Sequence, residues 1–180
     1  MKQRSKKELT SIARNVSRLI LDVDGVLTDG SIILDSKENE LKSFHVRDGH
    51  GIKMLIRAGV RVAIITGRHS KVVERRAREL GIKDVFQKCF DKTIPYRQLA
   101  ETYSLRDGEI AFVGDDIVDI PVLRRCGLPV AVADAEDAVK PYAKMITRQN
   151  GGRGAVREVC DFLLKAKGLW KDIIYEYAET

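Results

Sequence analysis

A doubly wound, Rossmann-like α/β domain with a β-hairpin inserted after its first strand is the architecture that the sequence predicts. Short apolar, β-branched runs alternate with helical patterns along the chain. The apolar runs are continuous, as in strands buried on both faces, which argues a parallel sheet between two helical layers. One early segment breaks this rhythm with alternating apolar and polar residues, the pattern of a hairpin.

The expected strands are LILDV (19–23), VRVAIIT (60–66), EIAFVG (109–114) and LPVAVA (128–133). The helical patterns between them are DGHGIKMLIRAG (48–59), HSKVVERRAREL (69–80), KTIPYRQLAETY (92–103) and DIPVLRRCG (119–127). Val72, Val73, Ala77 and Leu80 give the second of these one apolar face, with arginines opposite. Gly59, Gly81 and Gly127 stand where helix C-termini stop. The inserted hairpin spans 30–46, with arms at 31–35 and 40–46 around the polar turn SKEN. Towards the end, GGRGAVREVCDFLLKAKG (151–168) opens as a glycine-rich cationic loop and continues as an amphipathic helix. Residues 1–15 form a basic N-terminal extension, 16–168 a single domain, and 169–180 an apolar tail that packs on this core or on a neighbouring subunit.

Composition narrows the function classes. At 180 residues the chain has room for one domain with a sizeable core. Residues 1–18 carry +5 of the +6 net charge, so the rest is close to neutral. No aromatic residues interleave with those charges, and a solvated helix or arm is expected rather than a nucleic-acid partner. Cys89, Cys126 and Cys160 are odd in number and far apart, with no CxxC spacing, so neither zinc nor a disulfide framework is indicated. Free thiols suit a reducing compartment, and no membrane partner is expected because no stretch has the length of a span or the apolar core of a signal peptide. The expected location is the cytoplasm.

Four strand ends carry polar groups for which a core has no use. The first gives Asp22 and Asp24; the second gives Thr66, Gly67 and Arg68. FDKT supplies Lys92, and AFVGDDIVD supplies Asp115, Asp116 and Asp119. In a parallel sheet these ends converge on one edge, which is where such folds bind ligands. Converging carboxylates raise one another's pKa values unless a cation neutralises them. Oxygen-only ligands point to a hard ion such as Mg²⁺. A carboxylate beside that ion is a competent nucleophile towards phosphorus, and Lys92 and Thr66 could hold the oxygens of a transferring phosphoryl group.

The series DxDGVLTDG, TGR, a lysine and GDDxxD resembles the four motifs of the haloacid dehalogenase superfamily of phosphatases. The resemblance implies that Asp22 is the nucleophile and a metal ligand. It makes Asp24 the general acid and base, with its main-chain carbonyl on Mg²⁺. Thr66 and Lys92 match the phosphate-binding hydroxyl and lysine, Asp115 the direct metal ligand, and Asp116 and Asp119 supporting carboxylates. DVDGVLTDG, FHVRDGHGIKML, IITGR, VGDDIVDIPV and NGGRGAVREVCDFLL extend the likeness over residues 16–168 to the small-capped subclass. That subclass implies a Mg²⁺-dependent phosphomonoesterase acting on a sugar-acid phosphate in lipopolysaccharide precursor synthesis. It also implies a homotetramer whose hairpins build a central barrel and whose tail reaches towards a neighbouring active site. Phosphatases for the nine-carbon substrate carry an acid where this chain has Arg68, so an eight-carbon sugar acid is the expected substrate. Arg47, Asp48 and Arg153 are further candidate substrate contacts from matching segments.

Simpler readings exist for each residue alone. The Asp pair could cap the following turn, and Thr66 could be an ordinary strand residue. Lys92 could be one more exposed lysine. A phospho-receiver or non-catalytic regulatory domain also combines acids, Thr and Lys, but its phosphorylated Asp closes a later strand, where this chain offers Thr66.

Overall fold

The computed structural model describes residues 6–179. Six parallel strands form its sheet: β1 (Arg18–Leu21), β4 (Arg61–Ile65), β5 (Asp84–Phe86), β6 (Ile110–Gly114), β7 (Leu128–Ala131) and β8 (Met145–Ile146). Their order is β5-β4-β1-β6-β7-β8, the doubly wound arrangement. The chain winds outward from β1 to β5, then returns to the far side of β1 and winds outward again. Its direction therefore switches between β1 and β6, which pair in register from Arg18 with Ile110 to Leu21 with Val113.

All four residues of β1 and all five of β6 are buried, and Leu19–Leu21 and Ile110–Val113 accordingly read as apolar runs. The helices are α1 (Lys6–Asn15), α2 (Val46–Arg57), α3 (Lys71–Leu80), α4 (Thr93–Thr102), α5 (Ile120–Leu123), α6 (Ala155–Ala166) and α7 (Trp170–Glu179). α6 packs against α1, α2 and α7, whereas α4 packs against α5. Among the described residues, no helix is long and apolar enough to cross a membrane. The three cysteines are free thiols.

Four features depart from the sequence-based expectation. β5 and β8 are edge strands of three and two residues, too short to leave a periodic signal. The hairpin ladder is only β2 (Ile33–Leu34) against β3 (Glu40–Leu41), and Val46 already belongs to α2. A two-stranded ribbon with nothing across its faces has little to extend it. Asp35 closes its turn by accepting the N–H groups of Lys37 and Asn39 at 2.8 and 2.9 Å.

Arg18, counted above with the basic arm, is instead the first residue of β1 and is 1% exposed. Its guanidinium meets Asp84 at 2.5 Å and lies 3.9 Å from the Tyr103 ring centroid, a pairing that a buried cation requires. Residues 6–15 form a helix that buries Ala13, and Arg14 donates to the Ala166 carbonyl of α6 at 3.0 Å. Residues 170–179 are helical too, and Tyr177 stands edge-on to His50 of α2 in the same chain. Residues 1–5 of the basic extension and Thr180 of the tail lie outside the described residues.

Candidate active site

Asp22 and Asp115 leave adjacent strands on the two sides of the switch point. The Asp22 N–H continues the ladder by donating to the Val113 carbonyl at 3.1 Å. Glycines make room for the carboxylates that follow. A Cβ on Gly25 would stand 2.0 Å from Asp115 Oδ2, and one on Gly114 would stand 2.4 Å from Asp119 Oδ2. Gly25 also has φ +88°, a conformation that side chains disfavour. The glycines in DGV and VGDD thus serve the acidic residues beside them.

Lys92 enters at the start of α4 and joins the two halves of the cluster. Its ammonium lies 3.0 Å from Asp22 Oδ2 and 2.6 Å from Asp119 Oδ1. Asp119 is fully buried, and its other oxygen accepts the Asp115 N–H at 3.0 Å. Asp116 caps the 3₁₀ turn Ile117–Asp119 by accepting the Ile117 N–H at 2.6 Å. Burial alone would lower the Lys92 pKa, but the charges of Asp22 and Asp119 outweigh it, so the pKa rises and the ammonium persists.

One ammonium among three carboxylates leaves a surplus of negative charge. Burial raises the Asp22 carboxyl above its ordinary range despite the opposing ammonium of Lys92. Asp115 is pushed up to about 8, first by burial and then by the charges of Asp22 and Asp119. Its buried Oδ1 has no hydrogen-bond partner. Oxygens of Asp22, Asp115 and Asp119 approach within 4.8 Å of one another. An oxygen-only donor set, an orphaned carboxylate oxygen and excess negative charge fit a hard divalent cation. Asp119 is already committed to Lys92 and two main-chain amides, which leaves Asp22 and Asp115 as the available side-chain ligands.

These groups open into a cleft of about 250 Å³ lined also by Asp24, Thr66, Gly67, Arg68 and Asp116. All the motif residues singled out from the sequence are therefore brought together, with Asp119 just beneath the cleft. Two lining residues, Cys89 and Phe90, carried no sequence signal. Lys42 and Glu40 of the hairpin were missed as well. Lys42 pairs with Asp24 Oδ1 and lies 3.4 Å from Glu40, while Arg68 donates to Glu40 at 3.0 Å. Their opposite charges two positions apart, hence on one face of a strand, were the available clue.

The structure places three expected substrate contacts elsewhere. Asp48 is buried and accepts the Arg157 N–H in the first turn of α6 at 2.6 Å, so it caps a neighbouring helix. Arg47 and Arg153 line a separate recess of about 480 Å³ with Arg148 and Arg157. Arg153 also pairs with Asp29 at 3.1 Å. That larger recess lacks the carboxylate cluster that metal-assisted chemistry needs.

A sequence model of the haloacid dehalogenase-like hydrolases matches residues 81–159, which include Lys92, Asp115 and Asp119. The 3-deoxy-D-manno-octulosonate 8-phosphate phosphatase of Escherichia coli (strain K12) is 50% identical over 156 residues, covering 87% of this chain and 83% of that protein. The chain belongs to the 3-deoxy-D-manno-octulosonate 8-phosphate phosphatase family. Solved structures of such phosphatases share its fold closely. The enzyme from Moraxella catarrhalis, in complex with magnesium, phosphate and KDO, matches with a TM-score of 0.94 at 36% identity, covering 96% of this chain and 99% of that one. The cobalt-bound phosphatase of Haemophilus influenzae matches with a TM-score of 0.85 at 42% identity, covering 88% and 93% of the two chains.

Proposed function

We propose that the chain hydrolyses 3-deoxy-D-manno-octulosonate 8-phosphate to the free sugar acid and phosphate, with Mg²⁺, through an aspartyl-phosphate on Asp22. The observation that carries this reading is the buried Asp22–Lys92–Asp119 array beside the orphaned oxygen of Asp115. Asp22, Asp115 and the main-chain carbonyl of Asp24 would hold the cation. Once bound, it screens the repulsion between the Asp22 carboxylate and the phosphate dianion.

The chemistry of the chain's own residues then has two steps. An Asp22 oxygen forms a bond to phosphorus as the bond to the sugar oxygen breaks, and Asp24 gives that oxygen its proton. Water then attacks phosphorus, Asp24 takes its proton, and the bond between Asp22 and phosphorus breaks to release phosphate. Lys92 and Thr66 steady the phosphoryl oxygens in both steps. Asp119 holds Lys92 and the Asp115 amide in place, and Asp116 shapes the turn between them. Arg68, half-exposed at the cleft edge, is the cation for the sugar carboxylate.

The exposed aliphatic side chains of Ile32, Ile33, Leu34 and Leu41 support assembly into a homotetramer through the hairpins. Free thiols and the absence of disulfides among the described residues support a cytoplasmic enzyme supplying lipopolysaccharide precursors.

Phosphate release from a panel of sugar phosphates, with Mg²⁺ and with chelator, tests the reading. The eight-carbon substrate is expected to turn over fastest and only with metal. Faster release from the nine-carbon analogue would reassign the substrate, and release unaffected by chelator would remove the metal.

A further inference from the structure

Four charges form a closed ring between the hairpin and the cleft. Lys42 Nζ contacts Asp24 Oδ1, Arg68 Nε lies 3.8 Å from Asp24 Oδ2, Arg68 Nη2 reaches Glu40 at 3.0 Å, and Lys42 lies 3.4 Å from Glu40. The Lys42 side chain is only 1% exposed, and both of its ion-pair partners are carboxylates. Burying an ammonium this completely is costly without such partners, so a surface lysine would not adopt the site by default. Its two carboxylates have different positions: Glu40 is in β3, which ends one residue before Lys42, and Asp24 is on the loop after β1.

We propose that Lys42 is a positioning residue for Asp24, holding that carboxylate by Oδ1 so that Oδ2 faces the oxygen leaving phosphorus. This rests on the proposed role of Asp24 as proton carrier. The geometry divides the two oxygens. Oδ1 is taken up by the ammonium, whereas the Arg68 Nε–Oδ2 distance of 3.8 Å is too long for a hydrogen bond. Oδ2 is therefore the oxygen free to exchange a proton with the substrate. Glu40 sets the position of Lys42 and draws Arg68 to the same edge of the cleft. A catalytic carboxylate held at one oxygen loses little orientational freedom during turnover. The inserted hairpin thereby acts on proton transfer as well as on assembly.

First-turnover measurements on two substrates separate positioning from general damage. A sugar alkoxide cannot leave without a proton, whereas p-nitrophenolate can. Lys42→Met is expected to slow first-turnover release of the sugar acid from the 8-phosphate by about 10²-fold, within the range for general acid catalysis. The p-nitrophenolate burst from p-nitrophenyl phosphate should stay within about threefold of the unsubstituted protein, because Asp22 still attacks. Asp24→Asn should show the same selective loss, and Lys42→Gln, which keeps a donor, should recover part of it. Lys42→Gln carries the same comparison if Lys42→Met does not fold. Equal losses on both substrates, or no loss on either, would overturn the proposal for Lys42. A p-nitrophenolate burst that survives in Asp22→Asn would instead overturn the aspartyl-phosphate reading itself.

Discussion

Asp84 accepts the Arg18 guanidinium at 2.5 Å and the Tyr103 hydroxyl at 2.9 Å, at the end of the sheet where β1 begins. Removing it as Asp84→Ala leaves a fully buried cation with only an aromatic face for company. The expected cost is about 3–5 kcal/mol, read as a lower urea midpoint at unchanged slope. A cost below about 1 kcal/mol would show that the pair behaves like a surface ion pair. Arg18 also shows where single residues become illegible. It follows five other basic residues, and nothing local distinguishes it from them; only the pairing of β1 with β4 and β6 places it inside. Asp48, a candidate substrate contact from its segment's likeness to the phosphatase subclass, is buried in this chain and its carboxylate caps α6 from a neighbouring helix. Asp22, Asp24, Thr66 and Asp115 stand out in the sequence because each closes an apolar run with a polar group. Lys92, preceded by QKCFD, stands out only by its order among the motifs; the fold gathers all five at one cleft.

At the scale of elements, legibility follows burial. β1, β4, β6 and β7 lie within the sheet, and their apolar runs announce them. β5 and β8 lie at its edges, where two or three residues suffice and no run develops. The hairpin was legible as an insertion but not in its length, since its expected apolar positions are exposed and nothing in this chain buries them. That exposure has a measurable consequence. In sedimentation at micromolar concentration the protein is expected at the mass of a tetramer, and Leu34→Asp with Leu41→Asp should shift it to smaller species. A monomer before substitution, or an unchanged tetramer after it, would remove the hairpin from the interface. Because Lys42 of the hairpin pairs with Asp24, a shifted hairpin also shifts the ammonium on that carboxylate.

For the whole molecule, the carboxylate cluster couples stability to metal and pH. Asp22 and Asp115 sit above the 3.8 of an ordinary aspartate, Asp115 at about 8. Without metal, these two carboxyls hold protons in the folded protein that they give up in the unfolded chain between about pH 4 and pH 8, so their contribution to stability falls as pH rises through that window. A cation bound only by the folded state offsets this repulsion and stabilises by mass action. The rise in Tm on adding Mg²⁺ is therefore expected to be larger at about pH 8.5 than at about pH 5.5, with protons released on binding. A shift that is equal at both pH values would detach the metal from these carboxylates.

Through the proposed mechanism, Asp22 becomes phosphorylated during turnover. The most direct measurement is acid quenching during hydrolysis of the ³²P-labelled 8-phosphate, followed by peptide mapping. Acid-stable, hydroxylamine-labile label is expected on the peptide containing Asp22, and none in Asp22→Asn. Label on another residue, or full turnover by Asp22→Asn, would contradict it.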